Sequence, residues 1–113
     1  MIDRKHLDIS SSMDYIQKKA FEWDEDKNLD CEKLRGFQFQ DITNAFLDPH
    51  RRITPDTRHD YGEDRYELLA KIDEVLFVVI YTFREEAIRI ISARKANERE
   101  KKRYKNNAHQ GWL

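Results

Sequence analysis

The residues best suited to chemistry in this 113-residue chain are Glu63, Arg65, Glu67, Arg84 and Arg89. Guanidinium groups stay charged across the physiological range, and their planar fork of N–H donors matches the oxygens of a phosphate. A glutamate among them is able to move a proton. Scattered along the chain, these residues form a site only if the backbone brings them together.

Three segments have strand lengths and β-branched or aromatic enrichment: "RYELLAKI" at 65–72, "VLFVVIYTF" at 75–83 and "AIRIISA" at 87–93. Only "DE" and roughly "REE" separate them, so antiparallel hairpins are the shortest connection. If Asp73–Glu74 is a two-residue turn, Ile72 faces Val75. One face then pairs Tyr66 with Tyr81, Leu68 with Val79 and Ala70 with Phe77, an apolar surface. The other face pairs Glu63 with Arg84, Arg65 with Thr82 and Glu67 with Ile80. A two-residue turn at Glu85–Glu86 puts Arg89 opposite Thr82 on that same face. The five charged residues then converge around Thr82, and a slip of one residue would invert the faces. Three arginines against two carboxylates leave positive charge over for a phosphate. The competing reading is a set of cross-strand salt bridges on a solvated face.

Before these strands, "FEW" at 21–23 reads as a short strand, and "DEDKNLDCEKLRG" as a helix with acids in its first turn and Gly36 at its end. A second helix is expected from about Gln40 to Leu47, with Phe39, Ile42, Ala45 and Phe46 as its apolar stripe and "DP" as its stop. "RRIT" is a further strand candidate. The last element is a basic helix from about Lys95 to Lys105, with Asn97 and Glu100 spaced as a capping box. The order β-α-α-β-β-β-β-α, with strands grouped, implies an α+β fold: an antiparallel sheet, two N-terminal helices and the C-terminal basic helix. Residues 1–20 read as an N-terminal arm, 21–105 as a single domain and 106–113 as a tail.

Other residues carry weaker signals. His59, in "DTRHDYGEDR", suits general acid–base work, the competing reading being a loop histidine in an Asx-type turn with Asp56 or Asp60. The same loop lacks a close second His or Cys, so no metal site is expected. Three glycines supply no phosphate loop, and no cofactor is implied. Cys31 reads as a small buried hydrophobe. As the sole cysteine it excludes an intramolecular disulfide, and with no signal-like or membrane-spanning segment the expected location is the cytoplasm.

Net charge is −1, yet its distribution is polar. Residues 94–105 hold seven bases against two acids, while residues 1–30 hold eight acids against five bases. Arg94, Lys95, Arg99, Lys102 and Arg103 are placed to track an RNA backbone, to meet an acidic partner, or to form a solvated face. Tyr104 is either a stacking platform for a base or an anchor fixing the helix end to the sheet.

Taken together, "FEWDEDK", "RG", "DP", "DTRHDYGEDRYELLAKI", "VVIYTFRE" and "IRIISARKANEREKKRY" resemble, in order and spacing from about Phe21 to Tyr104, the BrnT family of toxins from bacterial type II toxin–antitoxin systems. The resemblance implies a fold similar to the RelE-type ribonucleases, an endoribonuclease activity that arrests translation, and a BrnA-like antitoxin partner through which any DNA contact is made. With no metal site in the sequence, the cleavage is expected to be metal-independent. The family pattern "HxxxGExR" falls on His59, Gly62, Glu63 and Arg65, its strand-end arginine on Arg84, and its "RIISAR" arginines on Arg89 and Arg94. Its helix positions fall on Glu98 and Tyr104. On this basis Glu63, Arg65, Arg84, Arg89 and His59 are the candidate catalytic residues, and Arg94, Lys95, Arg99, Lys102, Arg103 and Tyr104 the RNA-binding ones. The chain departs from the family where Cys31 replaces an asparagine, where Leu34 and Arg35 replace a Lys-His pair, and where Ala70 replaces a glycine. That leaves a catalytically weak or silent RNA- or antitoxin-binding module as the alternative, with a structural protein recruiting an acidic partner behind it.

Overall fold

A computed structural model describes residues 20–58 and 60–110, the last four of them as backbone only. The chain runs β1 (Ala20–Trp23), α1 (Glu25–Arg35), α2 (Phe39–Ile42) continued by a 3₁₀ turn (Thr43–Leu47), β2 (Arg52–Pro55), β3 (Tyr66–Ile72), β4 (Val75–Arg84), β5 (Ala87–Lys95) and α3 (Glu98–Gln110). The arm expected over 1–20 lies outside the described residues except for Ala20, which opens β1. Helix α3 continues five residues past the expected boundary at Lys105.

Local chemistry sets the helix ends. The Asp24 carboxylate accepts the Asp26 N–H at 2.9 Å, and Gly36, at φ 86°, donates its N–H to the Glu32 carbonyl. At α3, the Asn97 side chain accepts from the Glu100 N–H, and the Glu100 carboxylate accepts from the Asn97 N–H, each at 2.9 Å. This capping box is the one expected, and it fixes the start of α3 at Glu98. Arg94 and Lys95 therefore belong to β5, paired with Val78 and Phe77, and not to the last helix.

The sheet is five-stranded, in the order β1-β5-β4-β3-β2. Its two central hairpins have the expected register: Tyr66 pairs with Tyr81, Ile72 with Val75, and Thr82 with Arg89. The expectation of an antiparallel sheet needs correction, because β1 runs parallel to β5. Turn lengths predict only neighbours joined by short loops. The pairing of the first strand with the fifth is closed by a long excursion through helices and the rest of the sheet, so no local signal encodes its direction. The second expected helix also differs: only Phe39–Ile42 is α-helical, and the stripe residues Ala45 and Phe46 lie on the 3₁₀ turn.

The two faces of the sheet are unlike. Helices α1 and α2 cover the first with a core that includes Cys31, Phe39, Ile42, Phe46, Leu68, Phe77, Val79, Tyr81, Ile88, Ile90 and Ala93. A buried aromatic such as Phe39 or Phe46 contributes about 2–3 kcal/mol. The second face has a smaller apolar cluster of Leu69, Leu76, Val78 and Tyr104, where α3 docks. Beyond that cluster and the buried Ile80 the second face is polar. One irregularity governs what it displays. In β5, Ile90 pairs with Tyr81 and Ser92 with Ile80, so Ile91 is an extra residue, a bulge. Positions 89 and 94 would face opposite ways in a regular strand. The bulge turns both arginines onto the second face, opposite Thr82 and Val78.

Candidate nucleic-acid interface

The polar part of the second face is built from the loop between β2 and β3 and from the ends of three strands. The loop closes where the Asp56 N–H donates to the Arg65 carbonyl at 2.8 Å. Inside it, Asp56 is buried and receives Arg58 through Nε at 2.7 Å and Nη2 at 3.0 Å. The Arg58 guanidinium holds the Asp56 carboxyl below the usual carboxylate range, and Asp56 in turn pushes Arg58 upward. Asp60 accepts the Gly62 N–H at 3.0 Å, and Gly62 takes φ 75°, a region where glycine carries no Cβ penalty. The turn aims Glu63 and Arg65 toward the strand ends.

Glu63 bridges two arginines: Oε2 accepts from Arg65 Nε at 3.1 Å, and Oε1 lies 3.6 Å from Arg84 Nη2. The Arg65 guanidinium stacks 3.9 Å above the Tyr61 ring. Thr82 donates its hydroxyl to the Asp64 carbonyl at 2.6 Å, which pins the loop over the strand pair. A cleft of about 620 Å³ opens beside these groups, lined by Arg58, Tyr61, Glu63 and Arg65 among others. On the far side of Thr82, Arg89 donates through Nη1 to Glu22 Oε2 at 3.1 Å. The expected cluster is thus present as Glu63, Arg65 and Arg84 in ion-pair contact, with Arg89 on the same face one strand away.

Glu67 is also on this face but turns away from the cluster, accepting from Arg103 of α3 at 3.0 Å. His59 lies outside the described residues. Arg94 is held by Glu100 through two bonds of 2.8 and 2.7 Å, which pushes the arginine upward and brings Glu100 down to about 2. Lys95, Arg99 and Lys102 are exposed and form no ion pair among the described residues. Tyr104 is corrected: the residue is buried, only 8% exposed, and leaves no open ring face for a base to stack on. Its hydroxyl donates to Asp48 Oδ2 at 2.6 Å, and burial pushes that phenol upward, so it is the anchor of α3. Asp48 itself caps the open edge of β3 by accepting the Lys71 N–H at 2.7 Å.

Cys31 is buried, as expected, with its thiol toward the Ala93 carbonyl, and burial raises its pKa. Leu34 and Arg35 stand exposed at the end of α1. Among the described residues no group of three or more His, Cys, Asp or Glu side chains could hold a metal ion, and no helix is long and apolar enough to cross a membrane. Sequence reasoning missed Glu22, Asp48, Arg58 and Tyr61. Alternation in "FEW" carried a signal for Glu22, since it must face away from the two aromatics. The other three depend on contacts across the fold.

The arrangement suits an anion with several oxygens. The contacts to Glu63 and Glu22 engage Arg65, Arg84 and Arg89 through one nitrogen each, leaving further donors on every fork. No match was found among curated proteins. The family described as "Ribonuclease toxin, BrnT, of type II toxin-antitoxin system" matches residues 23–100, from Trp23 at the end of β1 to Glu100 in α3, and so takes in Arg65, Arg84 and Arg89 and the strands β2 to β5. The chain belongs to the BrnT family of ribonuclease toxins.

Proposed function

We propose that this protein is a metal-independent endoribonuclease that cleaves RNA in the cytoplasm, inhibits translation, and is neutralised by a cognate BrnA-like antitoxin. In the reaction a ribose 2′-oxygen attacks the adjacent phosphorus and loses its proton to a base. The bond to the 5′-oxygen breaks, that oxygen gains a proton, and the products are a cyclic phosphate and a free 5′-OH. Positive charge near the phosphate oxygens stabilises the developing negative charge, and guanidinium groups supply it here. Arg65 and Arg89 take that role with Arg84 beside them, and Glu63 or His59 moves the protons. The basic strip of Lys95, Arg99 and Lys102 extends the track for the RNA backbone, and the same strip offers the antitoxin a surface. A RelE-like architecture is the corresponding proposal for the fold.

One arrangement carries this reading: Glu63 holding Arg65 and Arg84 together beside a cleft, with Arg89 on the same face across Thr82. The test is cleavage of a single-stranded RNA by wild type and Arg65→Ala, with and without chelator. The expected result is chelator-insensitive cleavage, with the variant slower by about 10²–10³-fold. Cleavage abolished by chelator, or unaffected by the substitution, would overturn it. A second reading, a silent module that binds RNA or antitoxin, is favoured by Leu34 and Arg35 standing where the family pattern has Lys and His. It predicts that wild type retains RNA without cutting it.

A further inference from the structure

We propose that Glu22 is a positioning residue for Arg89, fixing its guanidinium where a phosphate is to be gripped. The proposal rests on the endoribonuclease reading and refines its site.

Three residues of the "FEWD" segment have plain structural work. The Phe21 ring packs 5.2 Å from Phe46, the Trp23 ring packs edge-on 6.1 Å from Phe39, and Asp24 caps α1. Alternation along β1 then sends Glu22 through the opposite face of the sheet. The parallel ladder sets it level with Arg89. The side chains are 41% and 26% exposed, so the pair is open to an incoming ligand. An ion pair this accessible adds little to stability. What it does add is direction.

Strand order places Glu22 on the flank of Arg89 away from Thr82. From there it holds one nitrogen, Nη1, and leaves Nε and Nη2 for another acceptor. Glu63 does the same for Arg65 and Arg84 from the opposite flank. An untethered arginine has rotamer freedom, some of which must be surrendered when it grips an anion. A carboxylate that orients it beforehand lowers that cost at the reacting geometry. The same carboxylate repels phosphate in the ground state. Glu22 therefore acts oppositely on binding and on rate, a signature that a merely structural ion pair does not produce.

The experiment measures single-turnover cleavage of a short RNA, the Kd of its 2′-deoxy-substituted, uncleavable analogue, and the Tm, for wild type, Glu22→Ala, Glu22→Gln, Arg89→Ala and the Ala/Ala double variant. Glu22→Ala should slow cleavage about tenfold without weakening Kd. Glu22→Gln, whose amide oxygen accepts the same bond, should recover the rate to within about threefold. In the Arg89→Ala background Glu22→Ala should add no more than about twofold. An unchanged rate in Glu22→Ala, a rate loss that persists without Arg89, or a joint fall of rate, affinity and Tm overturns the assignment. If wild type fails to cut RNA, the endoribonuclease reading fails separately, and the cycle is decided on Kd. A tightening of about threefold or more in Glu22→Ala that requires Arg89 upholds the positioning role, and any other result overturns it.

Discussion

The clearest division of labour among single side chains lies between the two halves of the "RIISAR" segment. Arg89 is clamped through one nitrogen and remains open to a ligand, whereas Arg94 is spent on Glu100. Glu100 is largely buried, accepts from Arg94 and from the Asn97 N–H, and has its pKa brought down from 4.5 to about 2 by Arg94. A carboxylate with a depressed folded-state pKa contributes stability above its unfolded value, lost as pH falls through the folded one. Glu100→Gln keeps the capping bonds and removes the charge. It should cost about 1–2 kcal/mol at pH 7, discounted because Arg94 is 43% exposed. The difference from wild type should shrink between about pH 4.5 and pH 2, read from urea melts across that range. A difference that stayed constant with pH would show that the ion pair is not its source.

Among the elements, the hairpins carry the site, and both turns include a residue in a conformation that glycine prefers. Asp73 has φ 55° and Glu85 φ 50°. A positive φ at a non-glycine residue costs roughly 1–2 kcal/mol. Glu85→Gly should therefore stabilise the protein by about 0.5–1 kcal/mol after the extra unfolded-state entropy of glycine is deducted, seen as a higher urea midpoint at unchanged slope. A lower midpoint would mean that Glu85 makes a stabilising contact of greater worth. The turns were legible because only two or three residues stand between long apolar runs, and the paired register followed from them. The start of α3 was misread because Lys95 and Arg94 look like helix residues by charge. Their backbone groups are instead taken by β4, and the box at Asn97 delays the helix.

For the molecule as a whole, the basic character of the last segment appears in the fold as an exposed strip on α3 and the end of β5. Contacts between such a strip and single-stranded RNA release counterions, with a slope of about −0.7 in log K against log salt for each phosphate neutralised. Replacing Arg99 and Lys102 together by alanine should reduce the magnitude of that slope by about 1–1.5, measured by RNA binding over a salt series. An unchanged slope would remove α3 from the RNA track. By itself the sequence determined the α+β class, the hairpin register, the apolar face and the placing of Glu63, Arg65, Arg84 and Arg89 on one side, because period-two alternation and two-residue turns are local rules. Only the tertiary structure decided three things: the parallel docking of β1 that brings Glu22 to Arg89, the bulge at Ile91 that turns Arg94 to the same face, and the burial of Tyr104 against Asp48. The first and the last depend on residues far apart in the chain meeting in the fold, and the bulge on a one-residue mismatch inside a hairpin, and no pattern of types or spacings records either.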